Sequence, residues 1–178
     1  PMKKLLITII TSLFFSNTAF SQDLSSIIID KFFEEGQKVC KEEGLGEYLL
    51  TNNPITSIDI SNDGINDLII DESTQRCEKS HSIFAGGSAG NNFIFFINPT
   101  TDTVKSWDAS SFGGDKANRI YSMLIYRYEI VKWKDKNAIK IFSHGISCDV
   151  AGYIGCYSIL VASEKGLEKV EGPKPNPQ

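Results

Sequence analysis

The sequence predicts an α+β fold, mainly β, in which one N-terminal helix is followed by an antiparallel β-meander. Three observations carry that expectation. Apolar residues recur at helical spacing only near the N-terminus, the period then falls to two, and turn residues punctuate the rest at intervals suited to short strands.

The helix is expected from Asp23 to Glu43, with Ile28, Phe32, Val39 and Cys40 near one face. Ser25 and Ser26 are candidate caps at its start, and Gly44 and Gly46 supply the stop. Strand alternation begins at Ile58 and Ile60, which flank Asp59, and resumes beyond a loop in Leu68-Ile69-Ile70. Phe93 to Ile97 is apolar at every position, the mark of a central strand covered on both faces. Asn98-Pro99-Thr100-Thr101-Asp102 reads as a turn leading to a strand from Thr103 to Trp107. A glycine-containing loop runs from Ser110 to Lys116, and Ile120 to Trp133 is long for one strand, with the irregularity expected at its start. Lys134-Asp135-Lys136-Asn137 turns the chain into Ala138 to Phe142. Cys156 to Ala162, the turn Ser163-Glu164-Lys165-Gly166, and Leu167 to Val170 complete a last hairpin. These elements fit one domain over 22–171, with a Pro-rich, disordered tail at 172–178.

Residues 1–21 read as an export leader. Lys3 and Lys4 form its basic start, and Leu5 to Phe15 its apolar core. Ala19-Phe20-Ser21 places small residues at −3 and −1 of a cleavage site, so the mature chain begins at Gln22. The apolar core falls short of the about 20 residues that a membrane span needs, so no span remains after cleavage. A periplasmic or secreted location follows. The chain carries 18 Lys and Arg against 22 Asp and Glu, a formal net charge of −4, and losing Lys3 and Lys4 makes it two units more negative. No basic stripe is present, so nucleic acid is excluded as an expected partner and a periplasmic or extracellular protein is favoured.

The chain has 4 cysteines, Cys40, Cys77, Cys148 and Cys156. An even count in an exported chain reads as two disulfides, for which three connectivities exist. Cys148 and Cys156 flank a short loop containing Gly152 and Gly155, which favours a local bridge and leaves Cys40 with Cys77. A zinc site is the rival reading, weakened by the absence of any C-x-x-C pair.

From Asp59 to Asp67 the chain has the alternation of a calcium loop. Asp59, Ser61 and Asp63 stand at positions 1, 3 and 5, Gly64 permits the turn, Ile65 offers a carbonyl at position 7, and Asp67 is position 9. Position 12 is Ile70 rather than glutamate, so the loop is not an EF-hand. It resembles the strand–loop–strand calcium loops of FG-GAP and related extracellular repeats, D-x-[DN]-x-D-G-x-x-D, with serine in place of the usual Asp or Asn at position 3. The rival reading is an Asp/Asn/Gly-rich turn without metal. Together with His144-Gly145-Ile146-Ser147-Cys148 and Cys156, the loop also resembles an uncharacterised family of small exported bacterial proteins. That likeness spans roughly Ser57 to Val170 and implies compartment and fold, not activity.

Gly86-Gly87-Ser88-Ala89-Gly90 matches G-x-S-x-G, and Ser88, Asp115 and His144 follow in the hydrolase order. A true elbow joins a strand to a helix, yet Asn91 to Phe96 reads as a strand. The serine hydrolase is therefore the alternative and not the preferred reading. Trp107, Trp133, Tyr121, Tyr126 and Tyr128 are either core or a binding face. The function expected is an exported, disulfide-bonded, calcium-stabilised, non-catalytic binding protein. Its most concrete form is an inhibitor or immunity protein of a periplasmic cell-wall-degrading enzyme. A structural envelope module is a further alternative.

Overall fold

A strand that is apolar at consecutive positions needs a packing layer on each face, and that requirement sets the architecture. The computed structural model describes residues 16–84, 87–108, 114–149, 151, 154–163 and 165–175, with side chains from Leu24 onward. The apolar run forms Asn91–Phe96 (β5). It lies inside an antiparallel sheet with Ile55–Ile58 (β2), Asp67–Asp71 (β3) and Ile120–Ile125 (β6), in the order β2-β3-β5-β6. Register places Leu68 opposite Phe96, Ile69 opposite Phe95 and Ile70 opposite Ile94. Alternation then divides these residues between two cores. Leu68, Ile70, Ile94, Phe96 and Ile120 pack beneath the helices Ser16–Glu42 (α1) and Thr101–Ser106 (α2). Ile69, Phe93, Phe95, Ile97 and Ile125 pack against Ile139 and Leu160 of a second sheet.

That second sheet is the expected meander. It comprises Arg127–Trp133 (β7), Lys136–Ser143 (β8), Cys156–Ser163 (β9) and Gly166–Pro175 (β10), in the order β10-β9-β8-β7. Lys134 and Asp135, both at positive φ, form the two-residue turn between β7 and β8, the geometry that matches strand twist. A small ribbon pairs Tyr48–Leu50 (β1) with Gln75–Cys77 (β4) beside α1. The layers run helix, sheet, sheet.

Leu24, Ile28, Phe32, Gly36 and Cys40 are buried at strict four-residue steps. Since a helix turns every 3.6 residues, this stripe drifts by about 40° per step. Its first half meets the sheet and Trp107, where Phe32 and Trp107 stack edge-on with centroids 5.8 Å apart. Its second half meets the ribbon. There Cys40 is bridged to Cys77 with Cα atoms 5.6 Å apart, and the Tyr48 ring lies where a Cβ on Gly36 would stand. Both expected disulfides are present, Cys148–Cys156 being the other, and no free cysteine remains to ligate zinc.

Several elements differ from the sequence expectation. Thr103 to Trp107 is not a strand. The Thr100 hydroxyl accepts from the Thr103 N–H at 3.1 Å, Asp102 lies in the first turn, and Val104 and Trp107 are buried. A capped turn of helix buries both apolar residues on one side, which a strand of that sequence would not do. Ser25 and Ser26 do not cap α1, which begins upstream of them at Ser16. Ile60 lies beyond the end of β2 yet is fully buried, held in the inter-sheet core by the loop rather than by a strand. The break in Ile120 to Trp133 falls at Tyr126 instead of at the start. The Tyr126 N–H donates to Phe142 O at 2.7 Å, and there the chain passes from the first sheet into the second. The ordered chain also continues past Glu171, since β10 runs on to Pro175. Most of the expected leader (1–15), Gly86, Gly152, 109–113 and 176–178 lie outside the described residues.

Replacing a mid-helix glycine with alanine ordinarily gains about 0.5–1 kcal/mol. For Gly36→Ala the sign should reverse, to a loss of about 1–3 kcal/mol, because the methyl group displaces the Tyr48 ring. Thermal melting checks this, and a raised melting temperature would refute the packing of Tyr48 on Gly36.

Candidate functional site

Two places gather the residues that the sequence singles out. The first is the loop between β2 and β3. Asp67 is fully buried at its end. Its Oδ2 accepts from the N–H groups of Ile60 (2.7 Å) and Ser61 (2.8 Å), and its Oδ1 from the Asn98 N–H (2.7 Å). Asp59 accepts from the N–H groups of Asn62 (2.6 Å) and Gly64 (3.0 Å) on its two oxygens. Asp63 accepts from Ile65 N–H at 2.9 Å and from the Asn98 side-chain amide at 2.5 Å. The Ser61 hydroxyl donates to Asn98 Oδ1 at 2.9 Å. Asn62 and Asn137 extend the clasp to the β7–β8 hairpin, with Asn137 N–H donating to Asn62 Oδ1 at 2.7 Å. The loop thus ties both sheets together at one end.

Burial pushes the Asp67 carboxyl above its ordinary range, the three backbone N–H bonds oppose that shift, and Asp63 adds to it. Asp63 is held below its ordinary value: its slight burial pushes the other way, but bonds from Ile65, Ser61 and Asn98 outweigh it. In this arrangement all six carboxylate oxygens of Asp59, Asp63 and Asp67 accept N–H groups, so the loop is closed by hydrogen bonds, and a cation would have to use the remaining lone pairs or displace them. Among the described residues, no three acidic, histidine or cysteine side chains converge on a metal position.

The second place is a cavity of about 400 Å³ lined by Ser88, Leu124, His144, Ile146 and Ser147. Ser88 sits on the 3-10 turn Gly87–Ala89 that leads into β5, and Leu124 is near the end of β6. His144 caps the 3-10 turn Gly145–Cys148, its Nδ1 accepting from the Ile146 N–H at 3.3 Å. The Cys148–Cys156 bridge pins the far end of that turn to the start of β9. Tyr126 stands beside the cavity. Its hydroxyl donates to Ser88 O at 3.2 Å, and its ring centroid is 6.3 Å from that of His144. The Gly90 backbone passes so close to Ile125 and Tyr126 that a Cβ would stand 2.5 Å from Ile125 O, which brings Ser88 to this corner.

Leu124 and Ile146, which line the cavity, are 49% and 75% exposed, and Tyr126 beside it is 39% exposed; among the described residues the other exposed large apolar side chains, Phe33, Ile65 and Val170, are not part of its lining. Gathered apolar exposure around a concavity is the usual mark of a binding surface. Of the remaining expected aromatics, Trp107 is buried under α1, and Tyr121 and Tyr128 pack between the sheets, so they are core.

The structure brings Ser88 and His144 to one cavity and leaves Asp115 elsewhere. Asp115 O accepts from Ile120 N–H at 2.8 Å, at the opposite end of β6 from Leu124, about 13 Å away at 3.3 Å per residue. Its carboxylate accepts from the Asn118 side chain and from the N–H groups of Asn118 and Ala117, with the Asn118 side chain foremost in lowering its pKa. His144 also faces the wrong way for a triad. A Ser–His–Asp relay needs Nδ1–H to donate to a carboxylate and Nε2 to accept from serine, whereas here Nδ1 is the acceptor.

Sequence reasoning missed one buried polar cluster. Glu72, in the 3-10 turn after β3, accepts at Oε2 from the Asn92 amide (2.8 Å), and Asn92 Oδ1 accepts from Ser122 Oγ (2.8 Å). Tyr48 OH donates to Gln75 Oε1 at 3.1 Å nearby. Burial raises the Glu72 carboxyl above its ordinary value, partly offset by the Asn92 bond and reinforced by Asp71. Burial, with Glu72 second, likewise raises the Tyr48 phenol. An acid directly after an apolar strand carries no sequence mark of burial. Comparison with family models, curated proteins and solved structures finds no match to this chain.

Two outcomes follow. Asp67→Ala should cost about 3 kcal/mol by orphaning three N–H groups, while the wild-type melting temperature should be the same in chelator and in millimolar Ca²⁺. A calcium-dependent rise would show that the carboxylates turn from those groups to an ion. Because Glu72 binds its proton more tightly folded than unfolded, it favours the fold below the ordinary carboxylate range and opposes it as pH rises through its raised value. Glu72→Gln keeps an acceptor for Asn92 and should raise the neutral-pH melting temperature while flattening its decline with pH. An unchanged pH slope would contradict this.

Proposed function

We propose that this chain is an exported, disulfide-braced binding protein that receives part of a partner protein in the cavity lined by Leu124 and Ile146, with Tyr126 beside it. The observation that carries the reading is the concentration of exposed apolar side chains at one concave spot with a polar lining of Ser88, His144 and Ser147. Such a centre with a polar border is how interfaces concentrate binding energy. Export is supported by the leader-like residues 1–21 and by two bridges that leave no free thiol. Among the described residues no helix is long and apolar enough to cross a membrane. In its most concrete form, an inhibitor or immunity protein for a periplasmic cell-wall-degrading enzyme, the reading draws on the acidic charge, the small size and the compartment. It does not call on calcium.

The second reading, a serine hydrolase, is favoured by one fact, that Ser88 and His144 share the cavity. Against it stand the His144 tautomer, the distant Asp115 and the strand that follows Ser88.

Capture from periplasmic extract, with bound proteins identified by mass spectrometry, tests the proposal. The bait should begin at Gln22 and enrich a protein partner. Leu124→Glu and Ile146→Asp should each weaken capture by more than about tenfold without lowering the melting temperature, while Val170→Glu leaves it intact. Equal capture by all three variants would overturn the assigned surface.

A further inference from the structure

Among the described residues, His144 is the one titratable side chain that lines the cavity. Its Nδ1 accepts from the Ile146 N–H at 3.3 Å and so caps the 3-10 turn Gly145–Cys148. An accepting nitrogen carries no hydrogen, so the neutral ring holds its own on Nε2. Histidine is the side chain whose ordinary change of charge falls between about pH 5 and pH 8. A second proton goes to Nδ1, and two donors then meet where one hydrogen bond stood. The cap is lost, whichever of the two groups gives way.

Either response alters the cavity. If the imidazole rotates away, a ring whose centroid stands 6.3 Å from that of Tyr126 leaves the wall. If the Ile146 N–H withdraws instead, the turn shifts and takes Ile146 and Ser147 with it, both of which line the cavity. The movement stays within this wall, because the Cys148–Cys156 bridge pins the far end of the turn. The new charge acts in the same direction. No other charged side chain lines the cavity among the described residues, and an unpaired imidazolium beside Leu124 and Ile146 makes a poorer seat for an apolar group.

The charged groups on the neighbouring elements are engaged with other partners. On β7 Arg127 pairs with Glu129, and on β8 Lys140 lies over the rings of Phe142 and Tyr157. On β10 Glu171 accepts from Lys174 at 2.9 Å and from the Tyr157 hydroxyl of β9 at 3.1 Å. Asp149 closes the opposite end of the turn, where its N–H donates to Ile146 O at 3.4 Å. The other histidine, His81, stands beside Arg76 and is not part of the lining.

We propose that His144 is a pH switch for this cavity: the neutral ring caps the turn and shapes the wall, and protonation undoes the cap and releases the bound partner. Release of a partner rests on the reading of the cavity as a binding surface, whereas loss of the cap does not.

An NMR titration of the free protein from about pH 7.5 to about pH 5 tests the switch. At the upper end the His144 ring should carry its hydrogen on Nε2, and as it gains charge the Ile146 amide resonance should move with it. His144→Asn offers the same N–H an acceptor that does not titrate, so its Ile146 amide should stay in place, while His81→Asn should behave as wild type. A hydrogen on Nδ1 at the upper end overturns the proposal, as does an Ile146 amide that stays still while the ring titrates or moves equally in His144→Asn. If His144→Asn fails to fold, the wild-type titration still decides. Capture of the partner from periplasmic extract should fall about fivefold from the upper to the lower pH, the weight of one cap, and should not fall in His144→Asn. Capture that is equal at both pH values in wild type contradicts the switch. Absence of capture at both counts against the cavity as a binding surface, and the titration alone then decides the switch.

Discussion

Two-sided burial of β3 and β5 is the constraint from which the rest of this structure follows. Ile69 and Phe95 face one way, Leu68, Ile70, Ile94 and Phe96 the other, and all are nearly inaccessible to water. A sheet so apolar needs a layer on each face. The helix α1 supplies one, held by its four-residue stripe, by the close approach of Tyr48 to Gly36, and by the Cys40–Cys77 bridge. The second sheet supplies the other. One continuous chain must therefore leave the first sheet and enter the second, and it does so at Tyr126. That crossing brings the end of β6, the turn before β5 and the bridged turn after β8 to one corner, and the cavity between them is its product.

At the opposite end the same two sheets are joined by polar means. Asp67 there, and Glu72 at the other end of β3, are both buried acids, but their settings differ. Three backbone N–H groups meet Asp67, so the carboxylate organises the β2–β3 loop and the turn at Asn98 as well as bearing the cost of burial. A single amide meets Glu72, so burial weighs more heavily there. The aspartates whose spacing suggests a calcium loop act, in this geometry, as acceptors that close turns. Asx-type closure and calcium loops share the same alternation of short acidic side chains, which is why the sequence leaves the two readings open.

The helix, the central strand and both disulfides were legible because each has a strong, local or countable signal: helical spacing, an unbroken apolar run, and an even number of cysteines behind a leader-like start. Thr103 to Trp107 was misread because Thr, Val and Trp favour strands intrinsically, while one hydroxyl cap and two buried side chains decide for helix. The crossing at Tyr126 was misplaced because the residue is as strand-compatible as its neighbours, and only the competition between two sheets for its N–H reveals the break. The three-residue strands β1 and β4 are too short for any period. For the candidate sites, sequence order supplied Ser88, Asp115 and His144 but not their distances. Folding brought two together and left the third at the far end of β6.

Ser88 and His144 share a cavity lining, and a serine nucleophile needs more than that. With Nδ1 accepting from Ile146 N–H, the imidazole is not free to donate Nδ1–H to a carboxylate, which is the arrangement a serine relay uses. The exposed apolar rim fits recognition better than chemistry. Incubation of the folded protein with a fluorophosphonate probe, followed by peptide mass spectrometry, tests this claim most directly. The account predicts that Ser88 stays unlabelled under conditions that label a serine hydrolase completely. Stoichiometric modification of Ser88, lost in Ser88→Ala, would contradict it.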